Sequence, residues 1–247
     1  DHQDRVRRKL RESLASDEAR RIRSVTDTRP LLELIPTPAP LDEVLADAGD
    51  PEPFAVAGAL PAGGNGVVIG PGKLGKTTLI GNLCAAFVDG RPFLGAFATE
   101  RRTVTVLDFE LPNGMGARWL DDLDIVNRQD LRYQSLRGLA HLFDLRDADV
   151  RQRWADNLAG TQVLVIDCLK PILTALDLDE DRDVRKFLDR IDQLKEMAGI
   201  SECIIVHHVG HTNQDRPRGD SDLIGWPDAL WVLSGTPSGV RSFGVTS

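Results

Sequence analysis

Eight consecutive residues, Gly70-Pro71-Gly72-Lys73-Leu74-Gly75-Lys76-Thr77, carry the clearest chemistry in the chain. They satisfy the spacing GxxxxGK[ST] at every required position, between an apolar run Val67-Val68-Ile69 and a helix-like stretch from Lys76 to Val88. Glycines let backbone N–H groups close around phosphate oxygens, and the helix that follows directs its positive end at them. Lys76 then supplies charge near the β and γ phosphates, and Thr77 offers a hydroxyl to Mg2+, whose hard charge prefers oxygen ligands. Thr78 follows on the helix and completes the nucleotide-binding candidates, Gly70 through Thr78. ATP and Mg2+ are the expected ligands, but the loop alone specifies only a nucleoside triphosphate.

Acids that could work beside this loop stand at the ends of apolar runs. Val163-Leu164-Val165-Ile166-Asp167 reads as a buried strand closed by a carboxylate, and ligands of open α/β sheets sit at the carboxyl ends of strands. Asp167 is thus the second expected Mg2+ ligand, alongside Thr77. A second strand, Thr103 to Glu110, carries Asp108 and Glu110 on one side, because strand side chains alternate. Glu110 is the candidate for orienting the attacking water and accepting its proton, with Asp108 as its rival.

Cys203-Ile204-Ile205-Val206-His207-His208-Val209-Gly210-His211 runs from a strand into a polar loop at the same expected edge. His207 is expected to touch the γ-phosphate and relay its loss to the loop. His207 and His211 have helical zinc spacing but stand at a strand end interrupted by Gly210, which argues against a metal pair. Beyond them, Arg216 and Arg218 occupy a polar loop, and Arg218 is the better candidate for a finger that stabilises charge on the transferring phosphoryl group.

The elements that must position these groups follow from pattern. Short apolar runs alternate with helical stretches from Phe54 onward, the signature of a mostly parallel sheet flanked by helices. Strands are expected at Gly66–Gly70, Thr103–Phe109, Leu131–Leu136, Val163–Asp167, Glu202–His207, Ala229–Leu233 and Val240–Val245, the last two forming a hairpin. A helix from about Asp181 presents Val184, Phe187, Leu188, Ile191, Leu194 and Met197 as a core stripe and stops at Gly199. Upstream, residues 3–23 read as a solvated helix of mixed charge. Six prolines between Thr26 and Pro53 predict an extended, irregular linker. The expected division is an arm at 1–53 and an α/β core at 54–247. The start at Asp1 and the close at Ser247 within a hairpin are what a piece of a larger protein would show.

Composition removes several classes. The chain has 247 residues, 41% of them hydrophobic and 28% charged, with no apolar run long enough for a bilayer and no secretory leader, so a cytoplasmic, non-membrane protein is expected. A net charge of -8 argues against a general nucleic-acid coat, and 5% aromatics against a base-stacking platform. The three cysteines, Cys84, Cys168 and Cys203, fit no metal or redox spacing and read as small buried hydrophobes.

The order of motifs, from the P-loop through Glu110 and Asp167 to the His pair and Arg218-Gly219-Asp220-Ser221, resembles the RecA-like P-loop NTPases. More narrowly, it resembles the RepA-type hexameric helicase ATPases of phage and actinobacterial kinds, over about Phe54 to Val245. The resemblance implies a catalytic glutamate at Glu110 and a Walker B run at Val165 to Pro171, in which proline is usual where Cys168 stands. His211 stands where those relatives carry a basic position, usually lysine, which weakens the case for a two-cation finger. It also implies a homo-oligomer, a hexameric ring with ATP at subunit interfaces, and single-stranded DNA held by Lys170 and the loop 209–223. A primase is an implied partner. The function expected is an ATP-driven DNA helicase or translocase in replication. A nuclease or recombination factor using the clustered acids, and an ATP-dependent switch for a protein partner, are the alternatives.

Overall fold

The computed structural model describes residues 36–48, 54–180, 182–208, 221–235, 239 and 241–246. The chain divides into two units, Asp1–Asp50 and Pro51–Ser247. In the first, the described element is α1 (Leu41–Ala48), inside the segment expected to be irregular. Prolines cluster on either side of it, and the amides of Glu43 and Val44 donate to Pro40 O, so the helix starts where the prolines stop. Asp42 and Glu43 in its first turn suit the positive helix end.

The second unit is built on a seven-stranded sheet in the order β5-β4-β6-β7-β3-β8-β9. Its strands are β3 (Asn65–Gly70), β4 (Val104–Asp108), β5 (Leu131–Ser135), β6 (Val163–Asp167), β7 (Glu202–His208), β8 (Ala229–Gly235) and β9 (Arg241–Thr246). A separate antiparallel ribbon joins β1 (Phe54–Val56) and β2 (Leu60–Pro61). The inner strands pair in parallel, and only β9 runs antiparallel, against β8. Strands β4 and β6 are buried along their whole length, as a sheet covered on both faces requires.

The two faces have separate cores. Val68, Val106, Val165, Ile204 and Val206 pack under α2 (Lys76–Asp89), which contributes Leu79, Leu83, Ala86 and Phe87. On the other face, Val67, Ile69, Leu107, Leu164, Ile166 and Ile205 meet residues of α4 (Ala148–Leu158), α5 (Leu169–Ala175), α6 (Val184–Ala198) and α7 (Ser221–Gly225). A further helix, α3 (Asn113–Asp121), follows β4. Its Gly116 lies so close to Tyr133 that a Cβ there would stand 2.4 Å from the ring carbon Cζ.

In α6 the expected stripe is buried from Val184 to Leu194, but Met197 is 41% exposed and Lys195 is buried instead. At about 100° per residue, Met197 lies roughly 120° from the middle of the stripe, whereas Lys195 and Ala198 lie near it. Gly199 closes the helix in the left-handed region, with φ 66°. Among the described residues no helix is long and apolar enough to cross a membrane. The expected helix at 3–23, Asp181, and the loop residues 209–220 lie outside the described residues.

Candidate functional site

Parallel pairing brings the ends of β3, β4, β6 and β7 to one edge. Asp108 pairs with Asp167, Asp167 with Val206, and Gly70 with His208. The loop from Gly70 to Gly75 leaves β3 at that edge and enters α2 at Lys76. Two glycines are demanded by geometry rather than by flexibility. A Cβ on Gly70 would stand 2.6 Å from Leu233 O on the neighbouring strand, and Gly75 has φ +99°, where a side chain is strained. The same position on Gly75 would lie 3.3 Å from Arg241 Nη1, so the Arg241 guanidinium leans over the loop from β9. Arg241 was not singled out from sequence; the hairpin register that opposes Arg241 to Gly235 is what brings it there.

Lys76 is buried and turns back into its own loop. Its Nζ donates to Gly70 O at 2.7 Å and to Pro71 O at 2.8 Å. Burial holds its pKa below the ordinary lysine value, opposed by the negative charge of Asp167 and Glu110. Lys73 and Leu74 belong to the loop, and Thr77 and Thr78 to the first turn of α2.

Asp167 is 4% exposed, and burial followed by the nearby Asp108 charge pushes its carboxyl up to about 6. The Thr77 hydroxyl, within hydrogen-bonding reach, opposes that shift. Among the described residues, Asp167 Oδ1 is buried without a hydrogen-bond partner. A buried carboxylate oxygen left unsatisfied beside a hydroxyl is what an oxygen-coordinated cation would complete, so the donor set fits Mg2+.

Asp108 and Glu110 separate in role. Both amides of Glu110 and Leu111 donate to Asp108 Oδ1 at 2.8 Å, and Tyr133 Oη donates to Asp108 Oδ2 at 3.0 Å. Asp108 is thereby committed to shaping the turn after β4. Glu110 remains 41% exposed on its side chain, with Oε1 3.2 Å from His208 Nε2. The His208 contact holds its carboxyl below the usual range against the effect of burial, helped by the Cys168 thiol and the Lys76 charge. Glu110 and Lys170 line one cleft with Phe109, Gly138, His141 and Thr174.

The expected placement of His207 is corrected. Ile69 pairs with His207, and Ile69 and Ile205 belong to the face packed by α6. Alternation therefore sends His207 away from the P-loop helix, and its Nε2 lies 3.0 Å from Glu180 Oε1. That contact holds the Glu180 carboxyl below its ordinary range. His208, one residue on, shares the face of Val206 and reaches Glu110. In sequence Ile204, Val206 and His208 share one face and Ile205 and His207 the other, and pairing with β3 and β6 decides which of them meets α2. Arg216 and Arg218 lie outside the described residues.

A parallel sheet carrying a glycine loop into a helix, with a buried aspartate and an exposed glutamate at the adjacent strand ends, is the core of a RecA-like P-loop ATPase. The AAA domain family matches residues 28–214, and the chain belongs to that family. Nucleotide binding and ATPase function follow from that membership, and such enzymes ordinarily work with Mg2+.

Solved structures agree on the fold. The chain is similar to the flagellar accessory protein FlaH from Methanocaldococcus jannaschii, with TM-score 0.52, 13% identity, and coverage of 75% of this chain and 78% of that one. It is also similar to the KaiC-like protein PH0186 from Pyrococcus horikoshii OT3, with TM-score 0.55, 17% identity, and coverage of 78% and 82%. No curated protein matches the chain in sequence.

Proposed function

We propose that this chain is an ATP-hydrolysing DNA motor, a helicase or translocase of the RepA-like type acting on single-stranded DNA as a ring. The observation that supports it most is Glu110. Its carboxyl is held below the ordinary range by His208 and the Lys76 charge, it is partly exposed, and it lines one cleft with Lys170 on the first turn after Asp167. A base for hydrolysis and a cation for a DNA phosphate thus share one loop cluster, which is how turnover would be coupled to a strand.

In this reading, ATP draws Lys76 off Gly70 O and Pro71 O and onto the β and γ phosphates. Loop amides from Gly72 to Thr77 hold the phosphate oxygens, and Thr78 extends the helix end behind them. Thr77 and Asp167 would hold Mg2+, which supplies neutralising charge on the phosphates. Glu110 orients water and takes its proton as the bond to the γ-phosphorus forms. His208 orients Glu110, replacing His207 in the sensing role. Arg218 from a neighbouring subunit would stabilise the transferring phosphoryl group. Lys170 and the 209–223 segment would line the DNA path, and a primase would act alongside.

The nuclease alternative loses support because Asp108, one of its metal ligands, is already hydrogen bonded three ways. Hydrolysis measured with and without single-stranded DNA, beside mass by light scattering, tests the proposal. DNA-stimulated turnover by an assembled species, lost in Lys76→Ala, is the expected result. A monomer with ATP and DNA whose hydrolysis ignores DNA would contradict the motor, and ATP binding without turnover would favour a switch.

A further inference from the structure

Cys168 directly follows the Asp167 carboxylate at the end of β6, and the fold gives it company. Its Sγ, a Glu110 carboxylate oxygen and a His208 ring nitrogen all lie within 4.8 Å of one another. His208 Nε2 is already 3.2 and 3.3 Å from the two Glu110 oxygens. These groups come from three different chain segments: the turn after β4, the end of β6 and the end of β7. No local spacing announces them.

Zinc binds sulfur at about 2.3 Å and histidine nitrogen or carboxylate oxygen at about 2.0–2.2 Å, so tetrahedral ligand atoms stand roughly 3.3–3.6 Å apart. The Glu110–His208 separation fits that edge without rearrangement. One sulfur and one imidazole select a borderline-soft transition ion over Mg2+, which prefers oxygen alone. Cys168 is fully buried, whereas Glu110 and His208 are 41% and 29% exposed, so an ion would enter from their side and keep its fourth position open to water.

We propose that Glu110, Cys168 and His208 form a transition-metal site of the zinc class, and that filling it switches the ATPase off. Binding exchanges the thiol proton of Cys168 for the metal, releasing that proton to solvent and forming a metal–sulfur bond; Glu110 supplies a lone pair it already holds, and His208 frees Nε2, which donates to Glu110 in the empty site, by moving its ring proton to Nδ1. The inhibitory half rests on Glu110 being the hydrolytic base. The binding half does not.

The test uses full-length, chelator-stripped protein titrated with Co2+ as an optical probe and then with Zn2+ in competition. One equivalent of Co2+ is expected to give the strong visible bands of a tetrahedral ion and a near-ultraviolet thiolate charge-transfer band, both erased by Zn2+. Cys168→Ser should abolish the charge-transfer band and weaken binding at least tenfold. Should that buried variant fail to fold, Glu110→Gln, on the exposed side, should weaken binding at least tenfold with an unchanged circular dichroism spectrum. Absence of a thiolate band, or a band that persists in Cys168→Ser through Cys84 or Cys203, would overturn the site. With binding established, Zn2+ at one equivalent should suppress ATP hydrolysis in excess Mg2+, reversibly by chelator; hydrolysis undiminished by a filled site would overturn the switch and count against Glu110 as the base.

Discussion

Both ends of the central sheet bury charge, and they handle it in opposite ways. At the amino end, Glu202 is fully buried, with Oε1 accepting from Gly63 N at 3.0 Å and Oε2 lying 3.4 Å from Arg102 Nη1. Lys195 donates to Gly63 O and to Asn65, whose Nδ2 donates to Asp192 at 3.0 Å, and Trp226 Nε1 donates to the other Asp192 oxygen at 2.9 Å. At the carboxyl end, among the described residues, Asp167 keeps a buried oxygen with no hydrogen-bond partner, and Lys76 donates to the carbonyls of its own loop. The amino end spends its carboxylates on the fold; at the carboxyl end Asp108 does the same, while Asp167 and Lys76 stand ready for a ligand. Burial alone does not mark a functional site, and neither does an unpartnered atom alone, since Arg102 Nε at the amino end is also buried without a partner among the described residues; a buried carboxylate oxygen left open beside a phosphate-binding loop does.

The contrast makes the largest effect a structural one. Glu202→Ala would leave Arg102, itself only 13% exposed, without its carboxylate, and unfolding stability should fall by about 3–5 kcal/mol. Denaturant titration would show it, while turnover per folded molecule should stay at the wild-type level. A change in turnover with unchanged stability would erase the distinction between the two ends.

Asp167 should behave in reverse. Its folded-state carboxyl is raised to about 6 from 3.8. The folded chain therefore binds the extra proton between those values, and stability of the nucleotide-free protein declines as pH rises through that window. Asp167→Asn should raise its stability at pH 7 by up to about 3 kcal/mol, with the gain gone below pH ~4, and should abolish Mg2+-dependent hydrolysis. A destabilised Asn variant would mean that Asp167 serves the fold as Glu202 does.

The histidines give a smaller and finer comparison. His208→Asn should lower kcat by roughly 10- to 100-fold, because Glu110 loses a positioning contact. His207→Asn should act chiefly on stability, through Glu180. Equal kinetic effects from both would contradict the facing set by strand alternation.

Much of this is legible in the sequence. The loop around Lys76 and the strand ending at Asp167 announce themselves because phosphate cradles and buried parallel strands impose short, local patterns. Facing was harder. The run Ile204-Ile205-Val206 offers both faces equal hydrophobicity, so only pairing with β3 and β6 decides whether His207 or His208 shares the side of α2. Asp108 and Glu110 look interchangeable in sequence, since the turn that consumes Asp108 depends on Tyr133 from another strand. Arg241 reaches Gly75, and Cys168 reaches Glu110, only through tertiary pairing.

The central claim, that the open carboxyl end is an ATP-hydrolysing site with Glu110 as its base, is tested most directly by single-turnover hydrolysis in Glu110→Gln alongside equilibrium ATP binding. The account predicts ATP affinity within a few-fold of wild type and a hydrolysis rate reduced by at least about 100-fold, the scale of losing a well-placed proton acceptor. Wild-type hydrolysis in that variant would contradict it.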